Sequence, residues 1–467
     1  MIYYYFIASV LIAISALFAK EKKIVYLIGL LFYATQAALI GTILGGGAYE
    51  ATSGLFFTFD ALGSLFYGLM IVVSAFVFYH SEEFLKDNNI KEYRLYFALL
   101  MLLTTAITGV YFANNLAVTW IFLEATTLCA AGILYYHHTA KTLEATWKYV
   151  FGCSTSITIA YLGILLLSTA ARDGSLNYAD LGVSVVEGNP LYLKIAFLLI
   201  LCGYSCKIEL FPFHTIGVDA NYAAPPPASA MISTGLVNAG FLALFRVYKV
   251  MSGSEVFEWV RSVLLVAGVL SLIVGALFLR RTNNYKRFLS YSTVENMGLV
   301  VIGLGVGGIG VWAALFHVVC HTLIKSSLFF QMAVVRQIYN SFRINRIGNY
   351  ININKIGGVG FILGTVVLLA FPPSPLFLSE LMILKQVVAD GSWWLVGVLL
   401  VLLCIVIYAV CSRMLKLCYQ PNQDELHPSK VDRIHSWSAL LLLLVAMILG
   451  CWQPQFLQDL ITKIVTF

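Results

Sequence analysis

Six ionisable side chains interrupt the apolar runs of this chain, in the order Glu124, Lys207, His317, His321, Lys325 and Glu380. No nucleophile–base pair, phosphate-binding loop or metal-spaced cluster competes with them. Histidine titrates near neutrality, and lysine can do so when buried. A charged side chain at the centre of a bilayer costs ~3 kcal/mol or more, and those that persist there mark ion paths and proton relays. The chemistry open to these residues in this setting is proton transfer.

The stretch 198–233, LLILCGYSCKIELFPFHTIGVDANYAAPPPASAMIS, organises the rest. It begins as an apolar helix and then carries Lys207, Glu209, His214 and Asp219 into a region bounded by Pro212 and the triplet Pro225, Pro226 and Pro227. Proline breaks the helical ladder, and non-helical backbone at membrane depth persists only against protein or a water-filled cavity. A lysine beside such a break reads as part of an ion path rather than as a snorkelling side chain. Glu124, alone among charges in TWIFLEATTLCAAGIL, must be protonated or paired. Lys207 is its natural partner, in a pair where moving one proton resets the neighbour; the plainer alternative is a static pair fixing helix register.

In ALFHVVCHTLIKSSLFF, His317, His321 and Lys325 fall at i, i+4 and i+8, one stripe of one helix. Such a stripe can pass protons through water. Glu380 follows a second proline break in FPPSPLFLSELMILKQ, and Lys385 beyond it reads as an interfacial lysine. Lys148, in LEATWKYVF, is equally an inlet or a topology anchor. Asp60 and Glu295 lie near expected span starts, where capping explains them as well as function does. Glu209 stands two residues from Lys207, off its helix face, and receives no role.

The elements that position these groups are membrane helices. The chain has 467 residues, 60% of them hydrophobic and 11% charged, against roughly 25% charged in soluble domains. The net charge of +6 is no nucleic-acid signal, because the positive residues follow loops between apolar runs. Nine cysteines include no CxxC pair, so neither a metal centre nor a cofactor is expected. The opening MIYYYFIASVLIAISALFA lacks a basic leader and reads as a first span, not a removed signal. At ~20 apolar residues per span, we expect an all-α polytopic membrane protein of about fourteen helices. They lie near 2–19, 24–44, 60–79, 95–113, 115–136, 145–169, 192–213, 225–249, 259–279, 286–306, 309–335, 355–385, 392–417 and 436–453, the seventh and twelfth broken.

Residues 1–467 form one membrane domain: three spans in 1–94, a first repeat in 95–250, a second in 256–418, and the last span and tail in 419–467. Spans 4–8 and 9–13 are runs of five, each broken at its fourth helix, and an odd number inverts the second copy. Twenty of the 29 Lys and Arg residues fall on one side, Arg280, Arg281, Lys286 and Arg287 among them, and seven on the other. The richer side is expected to be cytoplasmic, with both termini outside the cell's plasma (inner) membrane.

These motifs resemble the antiporter-like proton-channel subunits shared by respiratory complex I, Mrp-type cation/proton antiporters and membrane-bound hydrogenases. Lys207 through Ser233 is similar to that family's seventh-helix motif, and FHVVCHTLIKSSLFF to its eleventh-helix motif. LEATWKYVF, LSYSTVENMGLVVIGLGVGG and FPPSPLFLSE resemble most the branch formed by the F subunit of hydrogenase-4. The resemblance implies inverted five-helix repeats, Glu124 and Lys207 as the pair of a first half-channel, Lys325 as central relay and Glu380 as terminal group. It also implies membrane partner subunits and a cytoplasmic redox or enzyme arm, with protons, or sodium, as the ion. The alternatives are an Mrp-like sodium/proton antiporter module and a membrane partner of an inorganic-carbon uptake protein. Three departures stand out. Where a relay lysine or histidine is common in span eight, this chain has Ser233 and Asn238; the branch histidine is Asn296; and no long lateral helix is expected after the last span.

Overall fold

The computed structural model describes residues 2–45, 56–171, 174–421 and 433–466. A bilayer offers the backbone no water, so each apolar run satisfies its hydrogen bonds within a helix. The chain opens with α1 (Ile2–Leu17), α2 (Lys22–Gly45) and α3 (Ala61–Phe84). A first run follows: α4 (Ile90–Phe112), α5 (Leu116–Leu134), α6 (Ala140–Ala170), the short α7 (Tyr178–Ser184), α8 (Pro190–Ile208) and α9 (His214–Ala223). It ends with α10 (Pro226–Met231), which passes through a π turn at Ile232–Leu236 into α11 (Val237–Met251). The second run comprises α12 (Phe257–Arg281), α13 (Tyr285–Val306), α14 (Ile309–Tyr339), the short α15 (Tyr350–Ile353), α16 (Lys355–Leu368), α17 (Pro375–Ala389) and α18 (Trp393–Tyr419). Two helices close the described chain, α19 (Arg433–Cys451) and α20 (Gln455–Val465).

Every expected span meets a helix. Twelve described segments are long and apolar enough to cross a membrane. The first expected span and the first half of the twelfth are shorter, at 16 residues in α1 and 14 in α16. The ends are written locally. Asn115 Oδ1 caps α5 by accepting from Ala117 N at 2.9 Å, and Asn189 caps α8 ahead of Pro190. Ser374 caps α17 ahead of Pro375 in the same way.

Both expected breaks are present, and their backbones match. After α8, Glu209 takes φ +60°, and a cis Phe211–Pro212 bond leads into α9. After α16, Ala370 takes φ +50°, and a cis Pro372–Pro373 bond leads into α17. In each case the left-handed residue stands three positions before the cis proline.

Burial sorts the helices. The segment Pro226–Met251 and α14 are enclosed all round, and α13 nearly so, whereas α2 and α18 turn most of their surface outward. The helices bearing Asn238, Glu295, His317, His321 and Lys325 therefore form the centre of the molecule.

Candidate functional site

Glu124 on α5 and Lys207 on α8 are brought together, but not as the direct pair expected. Lys207 is 1% exposed, and its Nζ donates to Thr127 Oγ1 at 2.8 Å and Thr126 Oγ1 at 3.3 Å. Tyr149 OH on α6 lies 3.5 Å from the same nitrogen. Glu124 accepts from Ser154 Oγ at 2.5 Å and from Thr127 Oγ1 at 3.4 Å. The Thr127 hydroxyl, one turn along α5 from Glu124, thus stands between carboxylate and ammonium. Gly240 of α11 lets α8 approach: a Cβ there would sit 2.7 Å from Lys207 Cβ. Cys153 and Cys206 pack beside this group with their sulfurs 3.2 Å apart.

The stripe on α14 is present and fully buried. The rings of His317 and His321 lie 6.5 Å apart, about one helical turn. Lys325 Nζ donates to Leu289 O at 2.8 Å and to Ser292 Oγ, both on α13. Neither ring nitrogen of His321 has a hydrogen-bond partner among the described residues, so its capacity is open to water. His317 is held from both sides, Nδ1 2.9 Å from Ser379 Oγ and Nε2 3.0 Å from Asn296 Oδ1. The Asn296 amide nitrogen donates to Ser292 O at 2.6 Å and Glu295 Oε2 at 2.5 Å. Both of these atoms accept, which fixes the amide orientation. Its Oδ1 therefore faces His317 Nε2.

Glu295 corrects the sequence reading. It is neither a cap nor an interface residue. It lies mid-helix on α13, 3% exposed. With Glu380 of α17 it lines a cavity of about 200 Å³ whose other walls are apolar side chains of α13, α16, α17 and α18. His317, through Asn296 on one side and Ser379 on the other, ties the α13 carboxylate to the helix that carries Glu380.

The positions flagged in span eight serve as ties between helices. Asn238 Nδ2 donates to Thr322 Oγ1 at 2.9 Å, and Ser233 Oγ lies 2.8 Å from Thr293 Oγ1. His214 opens α9 and stacks on Phe211 at 6.4 Å. Lys148 is exposed and paired with Glu144 at 2.5 Å, and Lys385 is exposed.

Asp60 caps α3 and also binds Arg246, 3.0 Å from each carboxylate oxygen. Lys286, read only as a topology anchor, is buried and donates to the Tyr222 and Ala224 carbonyls at the end of α9. It closes backbone groups that a helix end leaves unpaired. Around it lies a cavity of about 680 Å³, lined by Lys141, Lys148, Arg287, Arg336, Arg343 and Arg346 with Glu144 and Asp219. Loops expected on one side of the membrane thus share one basin.

Residues 113–406 match the family model described as NADH:quinone oxidoreductase/Mrp antiporter, TM. The chain is 27% identical over 303 residues to the hydrogenase-4 component F homolog of Methylacidiphilum infernorum, covering 63% of this chain and 64% of that one. It is 25% identical over 372 residues to the A/B subunit of a probable K(+)/H(+) antiporter of Rhizobium meliloti, covering 77% of this chain and 36% of that one. It therefore spans less than two thirds of either relative. Its fold is that of a chain in the membrane-bound sulfane sulfur reductase, an archaeal respiratory membrane complex, with TM-score 0.86, 22% identity, and 98% of this chain and 95% of that chain covered.

Proposed function

The chain belongs to the NADH:quinone oxidoreductase/Mrp antiporter membrane family, and from that premise we propose that it is a proton-translocating, antiporter-like subunit of a redox-driven membrane complex. One observation carries the reading. Buried polar and ionisable groups follow one another from Lys325 to Ser292, whose hydroxyl meets the lysine and whose carbonyl meets Asn296, and on through His317 to Ser379 on the helix of Glu380, with Glu295 beside Asn296. Charged groups at such depth persist for ion movement. The Glu124–Thr127–Lys207 group supplies a second station. The partners are other membrane subunits and a redox or enzyme arm, with electron transfer lying outside this chain.

The matching breaks support two five-helix repeats of opposite orientation. With α1 and the α16–α17 unit also crossing, the count is fourteen. Both termini then face outward, and the basin around Lys286 faces the cytoplasm. Reporter fusions in the 282–284 loop and after Ile464 test this; a cytoplasmic signal after Ile464 would overturn it. For transport, Lys325→Ala should abolish proton uptake by proteoliposomes holding the assembled complex while the complex remains abundant. Normal uptake would sink the proposal. Uptake that runs only with sodium present would move it to a sodium/proton antiporter.

A further inference from the structure

The hydrogen bonds above form two sets, one around Lys207 and one from Lys325 to Ser379, and none joins them among the described residues. Two residues beyond Lys207 stands a carboxylate with no assigned role. Glu209 follows the last residue of α8 and holds φ +60°, a conformation that glycine adopts freely and other residues resist. The second break makes the same turn with Ala370. The turn therefore requires no carboxylate, and the acid at Glu209 serves something else.

Its surroundings are built for it. On an intact helix a residue two places beyond Lys207 would point to the far side; the left-handed step re-aims Glu209 toward α9. There Oε1 accepts from Asn221 Nδ2 at 2.8 Å. Gly217 makes room, since a Cβ at that position would stand 2.5 Å from Glu209 Cγ. The residue is 1% exposed, and Oε2 has no hydrogen-bond partner among the described residues. None of the ion pairs formed among the described residues includes it. Leaving a buried carboxylate unpaired is unfavourable. Through Asn221 it is tied to α9, which packs on α13, the helix whose Leu289 and Ser292 hold Lys325, and it stands two residues from Lys207. Ser233 and Asn238 are already engaged with Thr293 and Thr322.

We propose that Glu209 is the proton-carrying group between Lys207 and Lys325. The inference rests on the proton-translocating reading above. The Lys207 ammonium gives one proton to the Glu209 carboxylate, leaving a neutral amine and a carboxylic acid. The acid then gives that proton to a neutral Lys325 amine, restoring the carboxylate and charging Lys325. Each transfer runs through intervening water or hydroxyl groups, and no net charge is created.

The test uses the assembled complex in proteoliposomes, with proton uptake, redox turnover and complex abundance followed together. Glu209→Gln keeps an acceptor for Asn221 but cannot carry the proton. Glu209→Gly takes φ +60° without strain and also removes the acid. Both are expected to lose uptake tenfold or more per redox turnover at wild-type abundance, and Glu209→Asp to restore part of it. Normal uptake by either non-acidic variant overturns the inference, and so does loss of assembly by the glycine variant, which would make the residue structural. Lys325→Ala separates the two claims. If it pumps normally, the proton-path reading itself fails; if it is dead while Glu209→Gly pumps normally, only the role of Glu209 fails.

Discussion

The hydroxyl of Thr127 is the sharpest point at which to test the first station. Thr127→Val keeps the branched shape and removes the one group that contacts both Lys207 Nζ and Glu124, at 2.8 and 3.4 Å. A hydrogen bond to a charged group is worth ~1.5–3 kcal/mol net, and each ~1.4 kcal/mol is a factor of ten. Thr126 at 3.3 Å and Tyr149 at 3.5 Å remain to hold part of the ammonium. The lower end of the range therefore applies, and proton uptake should fall about tenfold. Thr126→Val should cost less, because that hydroxyl is the more distant one and is not the one that meets Glu124. Thr127→Ser should be close to wild type. The assay is proton uptake per redox turnover in proteoliposomes, normalised to complex abundance. Equal uptake by Thr127→Val and wild type, or equal losses at Thr126 and Thr127, would refute the bridge and return Glu124 and Lys207 to independent roles.

Two further outcomes follow from the geometry. His317→Ala leaves Asn296 Oδ1 and Ser379 Oγ without their shared partner, which costs ~1–3 kcal/mol of stability; uptake should fall at least tenfold in vesicles where Lys385→Ala, at an exposed site, changes nothing. Asp60→Ala removes the carboxylate of Arg246, which is 6% exposed. Breaking a buried pair costs ~3–5 kcal/mol, less here because Asp60 itself is partly solvated; immunoblots should show less of the chain in membranes, with unchanged uptake per remaining complex.

The type of each buried group could be read from the sequence, but not its partner. His317, His321 and Lys325 share one helix, so their spacing alone aligned them, and the proline clusters alone located both breaks. Glu124 and Lys207 sit on different helices. Whether a carboxylate meets an ammonium or a hydroxyl there depends on how α5 and α8 are rotated, which no local pattern encodes. Glu295 escaped the sequence for a related reason. Nine residues beyond the expected start of its span it looks like a flanking charge, yet α12, α14 and α17 pack around α13 and bury it. Lys286 shows the same effect at the helix end, where tertiary packing turns an apparent anchor into a donor for the α9 carbonyls.

The left-handed residues at the breaks were invisible because the usual signal, a glycine just past the helix end, is missing from both: Glu209 and Ala370 occupy the turns. That silence is itself informative. A turn made by glycine would need no further account. A turn made twice without glycine, once with alanine and once with a buried acid, separates what the backbone requires from what the side chain adds. The backbone requires only an end to the helix ahead of the prolines. In the first break the side chain adds a carboxylate next to the lysine on which the sequence reading centred.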